Sequence, residues 1–201
     1  MGFCPWLNNL GGIFMAKIIL VTGGARSGKS SFAEKMCENI GSEIAYIATA
    51  IPFDDGMLDR IKKHREQRPS EWETFEIPRN IDKNIKDISL KKDTVLLDCI
   101  TVLVNNIMFE ADVNWDNCSH DVIDEVEEKI KIEINALIEA VKDTDLNFIM
   151  VTNEVGLGIV PENRLARIYR DIAGRVNQIL GQYSNEIYLV VCGAPLKIKG
   201  E

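Results

Sequence analysis

Eight residues near the start of the 201-residue chain, Gly23, Gly24, Ala25, Arg26, Ser27, Gly28, Lys29 and Ser30, satisfy the pattern G-x-x-x-x-G-K-[ST]. Each type has a physical task around a phosphate. Glycines let the backbone wrap so that its N–H groups point inward, the lysine adds a cation for β- and γ-phosphates, and the serine hydroxyl can ligate magnesium. The pattern follows the apolar run KIILVT and opens a helix-like segment over 29–39, whose N-terminal dipole favours an anion. Magnesium held by one hydroxyl also wants a carboxylate at the end of a neighbouring strand. Asp98, which follows the apolar run TVLL, is placed for that role. The other reading of Asp98 is a cap on the helix that follows.

His64 sits in a polar, basic stretch with Lys62, Lys63, Arg65 and Arg68, within a segment that starts on acids, crosses a helix and ends at Pro69. Two readings stay open on the residues alone. It is either a solvated surface histidine or a nucleophile, since nearby cations favour the neutral imidazole, the form that attacks phosphorus. Asn153 and Glu154, with Gly156 and Gly158, follow the buried run NFIMVT and put polar groups at the strand end where open sheets bind ligands. An ordinary strand-to-helix connection fits the same residues. Arg164, Arg167, Asp171 and Arg175 share one helix face, as a solvated ion-pair surface does, or as a phosphate or subunit contact does.

The elements that must position these groups are legible as alternating short β-branched runs and longer helix-period segments, the pattern of βαβ units on a mostly parallel sheet. Strands are expected over 17–22, 44–49, 74–77, 94–99, 147–152 and 186–192. Several are almost continuously apolar, as a strand covered on both faces requires. The segment after Pro161 carries an apolar stripe from Leu165 to Leu180, with Pro161 fitting its first turn and Gly181 its end. A second stripe, from Ile123 to Val141, begins after Ser119, a natural helix cap.

Composition bounds the rest. Hydrophobic residues make up 46% and charged residues 27%, the profile of an ordered globular chain. A net charge of -8 argues against nucleic-acid or anionic-membrane binding. Five cysteines without a C-x-x-C pair, and only two histidines, fit neither a disulfide framework nor a zinc centre; the thiols are expected reduced and mostly buried. No run of 18 apolar residues occurs, and the first residues lack the basic start of an export signal. Residues 1–15 read as an extension ahead of a single catalytic domain over 16–201.

The strings GGARSGKS, IATA, DDGMLDRIKKHREQRPSEWETFEIP, VLLDCITVLVNN, VTNEVGLGIVPENRLARIYRDIAGRVNQIL and YLVVCGAPLKIK carry a resemblance. Together they resemble the adenosylcobinamide kinase/adenosylcobinamide-phosphate guanylyltransferase family of cobalamin biosynthesis, from about residue 16 to 199. The glycine-rich pattern is shared by many families; the strings around His64 and Asn153 are specific. The resemblance implies an α/β P-loop NTPase fold, RecA-like, with a mostly parallel sheet flanked by helices. It implies two reactions: phosphorylation of adenosylcobinamide by a nucleoside triphosphate, then transfer of GMP from GTP through a guanylyl-histidine to give adenosylcobinamide-GDP.

By the same resemblance, His64 is the covalent nucleophile and Lys29 a catalytic cation. Nucleotide contacts fall on Gly23 to Ser30, on Thr49, Ala50 and Ile51, on Arg65, Glu66, Gln67 and Arg68, and on Glu76 and Asp98, with Ser30 and Asp98 holding Mg. ATP and GTP are substrates, no nucleic acid or membrane is a partner, and a cytoplasmic homotrimer is implied. The base for the alcohol is unassigned between Glu154 and Glu76. Two positions depart from the family: Gly56 replaces a usual Glu, and the stretch after Asp98 lacks a common tryptophan. The alternative is a P-loop small-molecule kinase without guanylyltransferase activity; a nucleotide-dependent switch module is a third reading, from outside the enzymes.

Overall fold

A computed structural model of the protein describes residues 15–52, 65 and 69–200. The six β-branched runs all form strands: β1 (Lys17–Gly23), β2 (Ile44–Ala48), β3 (Glu73–Glu76), β4 (Thr94–Asp98), β5 (Asn147–Val151) and β6 (Glu186–Val191). Between them run α1 (Lys29–Ile40), α2 (Asp82–Ser89), α3 (Ile100–Glu110), α4 (His120–Lys142) and α5 (Arg164–Tyr183). A seventh strand, β7 (Ala194–Lys199), returns antiparallel along β6 through a two-residue turn at Cys192 and Gly193. Both turn residues have positive φ, 51° and 78°, as a tight hairpin with the natural strand twist needs.

The sheet order is β3-β2-β4-β5-β1-β6-β7, and every pairing except β6 with β7 is parallel. Alternation along β1 shows why its sequence is apolar throughout. Ile18 and Leu20 enter the core beneath α2 to α5, whereas Ile19 and Val21 enter the core beneath α1. With both faces covered, the parallel strands end together on one edge, where α1 and α3 begin. Among the described residues, no helix is long and apolar enough to cross a membrane.

The two amphipathic stripes pack as their periodicity predicts. Ile123, Val126, Ile130, Ile134, Leu137, Ile138 and Val141 are all buried, and the Ser119 hydroxyl caps α4 by accepting the Val122 N–H at 3.4 Å. In α5 the start differs from the expectation. Asn163 caps it, its Oδ1 accepting the Ala166 N–H at 2.9 Å, so Pro161 lies ahead of the helix instead of in its first turn. The asparagine side chain satisfies an N–H that proline cannot. At the other end the helix runs past Gly181 to Tyr183, and the Ser184 N–H and hydroxyl close it on the Leu180 carbonyl at 3.0 and 2.7 Å.

The arginines of α5 have internal work. Arg164 donates to the Trp115 and Cys118 carbonyls, and Arg167 to those of Pro161 and Glu162, which ties the flanking loops to the helix. Arg175 grips Glu127 of α4 with two bonds of 2.6 Å. Burial pushes the Glu127 carboxyl up, but Arg175 and Lys131 outweigh burial and hold it below the usual 4.5. Glu127→Gln is therefore expected to cost about 1–2 kcal/mol at pH 7, limited because Arg175 is nearly half exposed, or about 3–6 °C in Tm. A carboxyl held low in the folded state stabilises above its unfolded value and loses that contribution as pH falls through the folded one. The melting curves of the two proteins should thus converge in acid, which calorimetry from pH 7 downward checks.

Candidate active site

The glycine-rich loop leaves β1 at the binding edge and closes on the start of α1. Gly28 takes the N-cap position with φ 92°, in the left-handed region that favours glycine. The Ser27 N–H returns to the Gly24 carbonyl at 3.2 Å, and the Phe32 N–H to Gly28 at 3.0 Å. Lys29 is buried, with Nζ donating to the Gly24 carbonyl at 3.1 Å, so the cation lies folded into the loop. Two buried hydroxyl oxygens, Ser27 Oγ and Thr22 Oγ1, have no hydrogen-bond partner among the described residues. Orphaned polar atoms beneath a phosphate-type loop suit a polar ligand.

The hairpin missed by the sequence reading braces this loop. The Gly193 N–H donates to the Ser27 carbonyl at 2.8 Å, and a Cβ on Gly28 would lie 3.1 Å from the Gly193 Cα. At Gly23 a Cβ would come within 2.5 Å of the Val190 carbonyl and 2.7 Å of Ser27 Oγ, so the loop must move to admit it. Gly23→Ala is accordingly expected to weaken nucleoside triphosphate binding at least about tenfold, a cost of about 1.4 kcal/mol. Titration calorimetry against the unsubstituted protein checks this.

Asp98 ends β4 half-buried and accepts a hydrogen bond from the Tyr46 hydroxyl at 3.2 Å. Here the structure corrects the expectation of a neighbouring strand: β5 lies between β1 and β4. The carboxylate therefore stands about 10 Å along the edge from β1, two strand spacings away. Burial pushes the Cys99 thiol up to about 11; Asp98 adds to the rise, while Thr101, the Val102 backbone and Lys29 oppose it. The hard oxygens of Ser30 and Asp98 fit magnesium, which takes few protein ligands and completes its shell with phosphate oxygens and water.

Two hydrogen-bonded clamps hold the turn after Asp98. On one side the fully buried Thr49 hydroxyl donates to the Cys99 carbonyl and accepts the Cys99 N–H, both at 2.9 Å, while Asn106 Nδ2 donates to the carbonyls of Thr49 at 2.8 Å and Pro78 at 3.1 Å. Thr49 thus supports the strand end, leaving half-buried Ala50 and exposed Ile51 as the surface there. On the other side Asn153 Nδ2 donates to Thr101 Oγ1 at 2.8 Å, and Tyr169 donates to the Thr101 carbonyl at 3.0 Å. Asn177 Nδ2 donates to the Asn153 carbonyl at 3.1 Å, and the Thr152 hydroxyl donates to Asn177 Oδ1 at 2.8 Å. The Glu154 N–H reaches the Gly23 carbonyl at 3.1 Å, which puts this loop against the glycine-rich loop.

His64, Glu66, Gln67, Arg68 and Gly56 lie outside the described residues. Arg65, the chain neighbour of His64, pairs with Glu76 at 2.6 Å, and both side chains are exposed. Glu76 ends β3, four strand positions from β1, or about 19 Å along the edge. The thiols of Cys37 and Cys99 are buried as expected, burial raising Cys37 to about 12; Cys118 is half-buried and Cys192 is exposed in the hairpin turn. Tyr46, Asn106, Tyr169 and Asn177 are site-building residues that the sequence reading did not find. Adjacent asparagines in the otherwise apolar run ITVLVNNIMFE were the one available signal.

Comparison with known proteins gives a consistent set of relatives. The sequence matches the family described as cobinamide kinase / cobinamide phosphate guanyltransferase over residues 19–198. It is 46% identical over 182 residues to the bifunctional adenosylcobalamin biosynthesis protein CobU of Escherichia coli K12, covering 90% of this chain and 99% of the relative. The protein of the same name from Salmonella typhimurium is 46% identical over 187 residues, with the same coverage. The bifunctional adenosylcobalamin biosynthesis protein CobP of Pseudomonas aeruginosa is 34% identical over 182 residues, covering 90% of this chain and 97% of its own.

Proposed function

The chain belongs to the cobinamide kinase / cobinamide phosphate guanyltransferase family, and we propose how its residues carry out the two reactions. It is a bifunctional enzyme of adenosylcobalamin biosynthesis. In the first step the aminopropanol hydroxyl of adenosylcobinamide attacks the γ-phosphorus of ATP or GTP, and the nucleoside diphosphate leaves. In the second, His64 attacks the α-phosphorus of GTP and releases pyrophosphate; the corrinoid phosphate then takes the GMP, giving adenosylcobinamide-GDP and freeing the imidazole.

The observation that carries this reading is the shaped loop itself: Gly23 and Gly28 at positions that no larger residue fits without movement, and buried Lys29 inside the turn. Lys29 neutralises the β,γ-oxygens, and inward N–H groups hold them. Ser30 and Asp98 would hold magnesium, which when bound screens the phosphate charge. Arg65, and Arg68 in the same string, offset charge on the α-phosphate beside His64. Ala50, Ile51, Glu66, Gln67 and Glu76 complete the nucleotide contacts.

Finer parts belong to the same reading: a catalytic domain over 16–201 preceded by an extension, a cytoplasmic location, and a homotrimer. Exposed apolar side chains at Phe109, Leu157, Ile159 and Val160 support self-association. The deciding experiment supplies adenosylcobinamide with ATP or GTP separately and identifies products by mass. Adenosylcobinamide phosphate with ATP, and adenosylcobinamide-GDP with GTP, are expected. Phosphate as the sole product under both conditions would reduce the protein to a kinase.

A further inference from the structure

We propose that Glu154 is the catalytic base of the phosphorylation step, receiving the proton of the substrate alcohol as its oxygen attacks the γ-phosphorus. This rests on the kinase reading above. A neutral alcohol is a weak nucleophile toward phosphorus, and a positioned carboxylate that takes its proton contributes about 10²–10⁴-fold. Three described carboxylates lie at the binding edge of the parallel strands: Glu76 at the end of β3, Asp98 at the end of β4 and Glu154 just after β5.

Geometry separates them. Glu76 is paired with Arg65 at the far end of the sheet, four strand positions from the strand that carries the phosphate loop. Asp98 is two positions away, is held by the Tyr46 hydroxyl, and has the place of a metal ligand. Glu154 follows the strand directly beside β1, and its own N–H is bonded to the carbonyl of Gly23, the first glycine of the loop.

Its backbone is unusually well fixed for a loop. The preceding Asn153 is tied through its side chain to Thr101 and through its carbonyl to Asn177, which is itself fixed by Thr152. Thr101 opens α3 just after Asp98 and also carries the Tyr169 bond, so one network sets the positions of both acidic residues. The Glu154 carboxylate, half-buried, makes no hydrogen bond or ion pair among the described residues. A fixed main chain with an open carboxylate is the arrangement that a base needs before its substrate arrives. In the step, the alcohol O–H bond breaks and its proton goes to a Glu154 oxygen. A new P–O bond forms to the alcohol oxygen, and the bond from γ-phosphorus to the bridging oxygen breaks, releasing nucleoside diphosphate.

The two reactions of the enzyme supply an internal control. The acceptor in the second is a phosphate monoester, already largely ionised at neutral pH with a second pKa of about 6, and needs no base. Glu154→Gln should lower kcat for adenosylcobinamide phosphorylation by about 100-fold or more, with Glu154→Asp recovering part of the loss. Nucleotide affinity, and guanylyl transfer to adenosylcobinamide phosphate supplied directly, should stay within about threefold of the unsubstituted enzyme. Phosphorylation reduced less than tenfold, or both activities falling together, overturns the assignment. Failure of the unsubstituted enzyme to phosphorylate adenosylcobinamide would instead overturn the kinase reading beneath it.

Discussion

With His64 replaced by alanine, the enzyme is expected to phosphorylate adenosylcobinamide within about threefold of the native rate and to release no adenosylcobinamide-GDP. The two activities should separate because the proposed role of His64 is confined to the α-phosphate of GTP. Its chain neighbour Arg65 is tied to Glu76 at the end of β3, four strand positions from the loop that holds the phosphates for the first transfer. Alanine leaves no nitrogen to form the phosphoramidate bond, and the corrinoid phosphate gains no second route. Product analysis by mass, with ATP for the first step and GTP for the second, checks both halves. A His64→Ala enzyme that still made the GDP product would show that transfer is direct.

Lys29→Met has the next largest expected effect, a fall of about 10²–10³-fold or more in kcat/KM for phosphorylation. Methionine keeps most of the volume of the buried side chain, so the packing of α1 on the sheet survives and Tm should move by no more than about 2–4 °C, the shift of about 1 kcal/mol. What disappears is the buried ammonium folded against the Gly24 carbonyl within the glycine-rich loop. Arginine should not restore activity, because its broad planar fork does not fit where a compact, buried ammonium lies. Steady-state kinetics beside a melting curve decides; activity within tenfold of native would remove Lys29 from the chemistry.

The parts of this molecule legible in the sequence are those encoded locally. The glycine spacing around 23–28 and the continuous apolar runs of β1, β4 and β5 each state their conformation within a few residues, and all appear where expected. Strand order is a different kind of information. Nothing in TVLLD says that β5 will insert beside β1, so the separation between Asp98 and the phosphate loop emerges only from the assembled sheet. β7 escaped for a physical reason: it is exposed along its whole length and carries Pro195, which marks an edge strand at best.

The site shows the same division. Lys29 and Asp98 announce themselves by motif, whereas Thr49, Asn106, Asn153 and Asn177 act through bonds to residues 24 to 57 positions away. A threonine at a strand end or an asparagine in a helix looks ordinary until its partner is in place. The string VTNEVGLGIVPENRLAR reads as specific without saying why. The clamp on Asn153, the Asn163 cap and the loop ties from Arg164 and Arg167 supply the reasons for several of its residues.

The guanylyl-histidine is tested by incubating the enzyme with GTP carrying its label in the α-phosphate and mapping the modified residue by tandem mass spectrometry. One GMP per chain is expected on His64, labile in acid and stable in base, absent with γ-labelled GTP and absent from His64→Ala. Label that persists in His64→Ala, or that maps to another residue, would contradict it.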